Sequence, residues 1–184
     1  MLVARNTWPG RAIEIFNNAN GIAGYFRRFG EGVWSQEDLA VRTSSGWFVE
    51  GRADDVLKIA GRRVGPSEIE NVAIAADGAT ACIAMDAAVD GHSVLIVVVE
   101  ASPGADTDQL ATQVSAAIEA DMGRPFRPLW TGASTTLPST STGKLDRRAV
   151  RNQVRAAIGS AEGLTVMQAL SAWLDDFHHQ PAVK

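Results

Sequence analysis

The sequence predicts an α+β fold: a small β-sheet with helices packed on it, preceded by a β-hairpin and by a segment that reads as the end of something larger. Three observations lead there. "TACIAM" and "SVLIVVVE" are neighbouring apolar runs of strand length. Leu110, Val114 and Ile118 recur every four residues, the stripe of a helix with one buried face. Residues 1–45 hold aromatics and glycines ("IFNNANGIAGYFRRFGEGVW") with no sustained periodicity, as a segment does when its packing partners lie elsewhere.

Taken in order, the elements begin at Gly46. "GWFVEGR" and "DVLKIAGRRV" are short β-like runs separated by Asp54 and Asp55, a hairpin-like arrangement. A helix follows: Pro66 suits a first helical position, Glu68 and Glu70 suit the positive end of the helix dipole, and Ile69, Val72 and Ala73 share a face. "TACIAM" and "SVLIVVVE" are expected to pair. The second is continuously apolar, as a central strand covered on both faces must be. Asp106 with Gln109 resembles a capping box opening the helix that carries Leu110, Val114, Ile118 and Met122. "GRPFRPLW" is a proline-broken connection. Residues 147–158 and 165–177 are expected as helices, the latter with Met167, Leu170, Leu174 and Phe177 on one stripe.

Composition narrows the function classes. With 46% hydrophobic and 21% charged residues among 184, the balance is that of a soluble globular chain, not a disordered one. The 17 basic and 21 acidic side chains leave a net charge of −4, so no global positive field exists to hold nucleic acid. Cys82 is the single cysteine and sits in an apolar run, which suits a buried small hydrophobe and a reducing cytoplasm. No apolar run approaches the roughly 20 residues of a membrane span, and "MLVARNTWPG" lacks a signal peptide's apolar stretch.

The stretch "LPSTSTGKLDRR" asks for a chemical reading, because Lys144 follows a run of small hydroxyl and glycine residues, Ser139 to Gly143. A nucleotide-hydrolase phosphate loop needs Gly where Pro138 stands and Ser or Thr where Leu145 stands, so that motif fails. His92, His178 and His179 are the only histidines, and neither they nor Cys82 show metal-ligand spacing. No nucleophile-elbow sequence is present for a serine triad.

Two motifs together are more specific. "GWFVEGRADDVLKIAGRRVGPSEIE" at 46–70, followed from Leu137 by "LPSTSTGKLDRR", closely resembles the C-terminal domain of the adenylate-forming enzymes: acyl-CoA synthetases, peptide-synthetase adenylation domains and luciferase. "TWPG", "YFRRFGEGVW…EDLA" and the helical tail look most like the acetyl-CoA and short-chain acyl-CoA synthetase branch. The resemblance implies an organisation: residues 1–53 as the end of the large N-terminal adenylation domain, 54–158 as the small C-terminal domain, and 159–184 as a helical tail.

The same resemblance implies roles. Asp38 and Arg52 fall on the family's ribose-binding pair, where a carboxylate accepts from the vicinal hydroxyls and a guanidinium donates to them. Asp54 falls on the hinge. Ala60, Gly61 and Arg63 fall on the segment that lines the nucleotide (ATP or AMP) or coenzyme A passage. Lys144 matches the lysine that meets the acyl carboxylate and the α-phosphate during adenylation, where an ammonium offsets two approaching anions. Read without the resemblance, Asp38 is a surface carboxylate, "KIAGRRVGP" a solvated basic strand after a turn capped by Asp54, and Gly-Lys a surface turn; Arg147 and Arg148 read as solvated helix residues. Two departures stand out: Glu37 replaces the Gly that usually precedes the aspartate, and "STSTGK" replaces a basic version of the loop.

The implied reaction is acid plus ATP to acyl-AMP and pyrophosphate, then acyl transfer to coenzyme A, with Mg2+ accompanying ATP and not ligated by this segment. The implied partners are the large N-terminal domain, which carries the phosphate loop and acyl pocket, and a small carboxylic acid. Self-association through exposed apolar residues of the first segment is also expected. Two readings of the segment stand: part of an acid:CoA ligase that is inactive alone, or a non-catalytic remnant or interaction module that keeps the fold.

Overall fold

The computed structural model describes residues 1–5, 9–18, 21–26, 28–30, 32–53, 55–161 and 165–178. Asp54, Trp8 and His179 therefore lie outside the described residues, as do the side chains of Tyr25, Phe177 and His178. The chain divides into two compact units, Met1–Val56 and Leu57–Lys184. Among the described residues no helix is long and apolar enough to cross a membrane.

The first unit is built from β1 (Ala4–Arg5), α1 (Gly21–Tyr25), β2 (Val33–Trp34), β3 (Asp38–Thr43) and β4 (Gly46–Arg52). β1 pairs antiparallel with β2, and β3 with β4. Among its described residues Phe26 is the one buried apolar side chain, whereas Ile13, Phe16, Trp47, Phe48 and Val49 are exposed.

The second unit contains β5 (Leu57–Ile59), β6 (Arg62–Val64), α2 (Pro66–Ile74), β7 (Ala79–Val89), β8 (His92–Ala101), α3 (Thr107–Met122), β9 (Trp130–Ser134), α4 (Arg147–Gly159) and α5 (Val166–His178). Its sheet has the order β7–β8–β9, with β7 antiparallel and β9 parallel to the central β8. β8 is covered on both sides, as its continuous apolar run requires. Leu95, Val97, Val99 and Ala101 join a core completed by α2, α3 and the β5–β6 hairpin. Ile96 and Val98 join a second core with Val150 and Val154 of α4 and Leu170 of α5. Cys82 lies in the first core, and burial pushes its thiol well above the ordinary range, with the nearby Glu70 charge acting the same way.

Local signals explain most boundaries. Pro66 opens α2, and Glu68 returns a carboxylate to the Gly65 N–H at 3.1 Å. Asp106 caps α3 by accepting from the Gln109 N–H at 3.0 Å, and Leu110, Val114 and Ile118 are buried as their spacing requires.

Four expectations are corrected. "GWFVEGR" and "DVLKIAGRRV" do not pair with each other: the first pairs with β3, and the second folds on itself as β5 and β6. The reason is the turn, since Ala60 (φ 49°) and Gly61 (φ 77°) both take the left-handed backbone that a two-residue hairpin demands. β9 was unexpected: it begins at Trp130, the last residue of the proline-broken connection, and is short and interrupted by Gly132, so it carries little strand pattern. On α5, Met167 is half exposed, and Ala169, Leu170 and Leu174 form the buried face instead. Arg147 is not simply solvated: it forms an ion pair with the buried Glu70.

Candidate functional site

The residues singled out by the sequence fall into two groups, one in each unit. In the first unit, Asp38 and Arg52 are directly opposed at the open end of the β3–β4 ladder. The Asp38 carbonyl accepts the Leu2 N–H at 2.7 Å, and Arg52 Nη1 donates to the Gln36 carbonyl at 2.9 Å. The Asp38 backbone and the Arg52 guanidinium are thus both engaged. Glu37, in the position where glycine is usual, has φ 68°. This left-handed conformation costs a residue with a Cβ roughly 1–2 kcal/mol. Three contacts hold it: the Glu37 N–H donates to Ser35 Oγ at 3.0 Å, its carbonyl accepts the Ala53 N–H at 2.6 Å, and its carboxylate pairs with Arg28.

In the second unit, the β5–β6 hairpin presents Ala60 and Gly61 at its tip. Arg63 is exposed and sits opposite Lys58 in the ladder, so two cations share one face. A Cβ added at Gly61 would meet nothing within 4 Å; glycine is needed there for backbone conformation, not for space. Beside the tip opens a cleft of about 770 Å³ whose walls include Ala60, Ser93, Ser115, Glu119, Arg127 and Trp130. It mixes apolar wall with hydroxyls and the Glu119–Arg127 ion pair at 3.5 Å.

Lys144 closes a tight loop. The Thr140 N–H donates to the Lys144 carbonyl at 2.7 Å, the Lys144 N–H to Thr140 Oγ1 at 3.2 Å, and the Asp146 N–H to the Pro138 carbonyl at 2.7 Å. Thr140 and Thr142 share a hydroxyl hydrogen bond at 3.0 Å, and Gly143 supplies the left-handed residue (φ 77°) that reverses the chain. Asp146 then caps α4 by accepting the Ala149 N–H at 2.9 Å. The Lys144 side chain is exposed, and no acidic group among the described residues pairs with its ammonium. It is an exposed cation on a hydrogen-bonded loop.

No family model matches the chain. Individual proteins do. An acetyl-coenzyme A synthetase of Pyrobaculum aerophilum is 30% identical over 154 residues, covering 82% of this chain and 23% of that protein. A 3-hydroxybenzoate–CoA ligase of Aromatoleum sp. is 38% identical over 112 residues, covering 60% of this chain and 21% of the ligase. A solved benzoate CoA ligase from Burkholderia xenovorans superposes with a TM-score of 0.62 at 25% identity, covering 78% of this chain and 28% of that one. The chain belongs to the adenylate-forming, acyl-CoA synthetase superfamily. It spans about a quarter of the length of the curated relatives it matches, so it corresponds to a partial region of an acyl-CoA synthetase.

Sequence reasoning missed the Glu70–Arg147 pair of this acyl-CoA synthetase segment. Pro66, Ile69, Glu70 and Ala73 are the buried positions of α2, the i, i+3, i+4, i+7 stripe of an amphipathic helix. A carboxylate on that stripe requires a partner, and the first arginine beyond Lys144, itself partly exposed, supplies it.

Proposed function

We propose that these residues are the C-terminal part of an ATP-dependent acid:CoA ligase of acetyl or short-chain type. The complete enzyme forms acyl-AMP and pyrophosphate from a small carboxylic acid and ATP, then passes the acyl group to coenzyme A. The observation that carries this reading is the alignment of 82% of the chain with acetyl-coenzyme A synthetases. In this reading Asp38 and Arg52 hold the ribose, and Lys144 offsets charge between carboxylate and α-phosphate. Ala60, Gly61 and Arg63 line the nucleotide or coenzyme A passage, and Asp54 is the hinge. The exposed ammonium of Lys144 and the cleft beside Ala60 support these roles.

Mg2+ enters with ATP. The large N-terminal adenylation domain is the partner that brings the phosphate loop and acyl pocket. The test is carboxylate-dependent exchange of pyrophosphate into ATP by the 184-residue chain, alone and with a separately expressed N-terminal domain of an acetyl-CoA synthetase. Exchange is expected only from the combination. Exchange by the chain alone with acetate or propionate contradicts the division of labour, and none from the combination favours a non-catalytic module.

A further inference from the structure

Glu70 is the charged residue on the buried stripe of α2. Its Oε1 accepts the Ala84 N–H of β7 at 3.1 Å and a guanidinium N–H from Arg147, 77 residues away in sequence. Arg147 is the first residue of α4 and follows Lys144 by three positions. The intervening chain has little freedom: the Asp146 N–H is bonded to the Pro138 carbonyl, Ser139 bridges to Leu145, and Leu137 and Leu145 on either side of the loop pack into the second core. At its other end, α2 follows directly on the β5–β6 hairpin that carries Ala60 and Gly61.

We propose that Glu70 and Arg147 are positioning residues that clamp the Lys144 loop to α2, and so fix it relative to the Ala60–Gly61 hairpin. The clamp rests on the reading of Lys144 as the adenylation lysine. Its physical basis is directional. A carboxylate this deeply buried demands its cation, since removing one member leaves an uncompensated charge, and the cation that answers it is held to the base of the lysine loop by only a few bonds. A pair placed merely to stabilise the fold would transmit its loss to the whole unit equally. A clamp transmits it first to Pro138–Asp146.

Amide hydrogen exchange on the 184-residue chain separates the two. In Glu70→Gln and Arg147→Met, the amides of Thr140, Lys144 and Asp146 should exchange roughly tenfold faster or more, while those of Leu95–Val99 in β8 change only with global stability. Arg147→Lys, which keeps the cation, should restore most of the loop protection. Should a single variant fail to fold, Glu70→Gln combined with Arg147→Met removes both charges together and is measured in its place. Loop protection that is unchanged in a folded variant, or lost in step with β8, overturns the clamp. Exchange is read without turnover. If, in the chain joined to a compatible N-terminal domain, Lys144→Ala leaves adenylation intact while the loop still loosens in Glu70→Gln, the functional reading falls and the clamp stands.

Discussion

Glu37 shows how one residue can depart from a pattern and still be held in its geometry. Its φ of 68° is where a side chain is strained, and its neighbours compensate through Ser35 Oγ, the Ala53 N–H and the Arg28 guanidinium. The Arg28 pair is largely solvent-exposed, so it contributes little. Glu37→Gly and Glu37→Ala both lose that pair, but only glycine accepts the backbone without cost. Glu37→Gly should therefore exceed Glu37→Ala in stability by about 1 kcal/mol, measured by chemical denaturation. An alanine variant as stable as the glycine one would mean that residue 37 is not left-handed. Ala60 presents the same conflict at the hairpin tip, with φ 49°.

At the scale of elements, the parallel pairing of β8 and β9 places α5 against Gly132. A Cβ there would overlap the Trp130 ring and lie 2.8 Å from Leu174. The indole folds across this glycine and meets Trp173 edge-on at 6.4 Å. Gly132→Ala should cost about 1–3 kcal/mol through overpacking, read as a lowered denaturation midpoint with displaced tryptophan fluorescence; an unshifted midpoint would show that α5 can yield. The long elements were legible because burial imposes a period: α3 through Leu110, Val114 and Ile118, and β8 through its unbroken apolar run. β9 was not legible, because a five-residue strand with glycine at its centre has too few side chains to show alternation. Lys144 and the "KIAGRRVGP" segment were legible as motifs, but that the latter closes on itself as the β5–β6 hairpin was not. The Glu70–Arg147 clamp was hidden because its members are distant in sequence, and only the helical stripe pointed to it.

For the whole molecule, the two units differ in how they are held. Both core clusters draw their buried residues from Leu57 onward, whereas the first unit buries only Phe26 among its described apolar side chains. A fragment of residues 57–184 should unfold in one cooperative thermal transition and self-associate less than the full chain, since it lacks the exposed Ile13, Phe16 and Trp47. A broad, non-cooperative transition would place essential packing in the first unit. The central claim is that the segment serves two half-reactions through different residues, and one comparison tests it most directly. With the chain joined to a compatible N-terminal domain, acyl-adenylate formation and thioester formation from supplied acyl-AMP are timed separately in Lys144→Ala. Adenylation should fall by at least about a hundredfold, the scale of losing one preorganised charge contact, with thioester formation nearly unchanged. Equal slowing of both steps, or of neither, would contradict the account and leave Lys144 a surface residue.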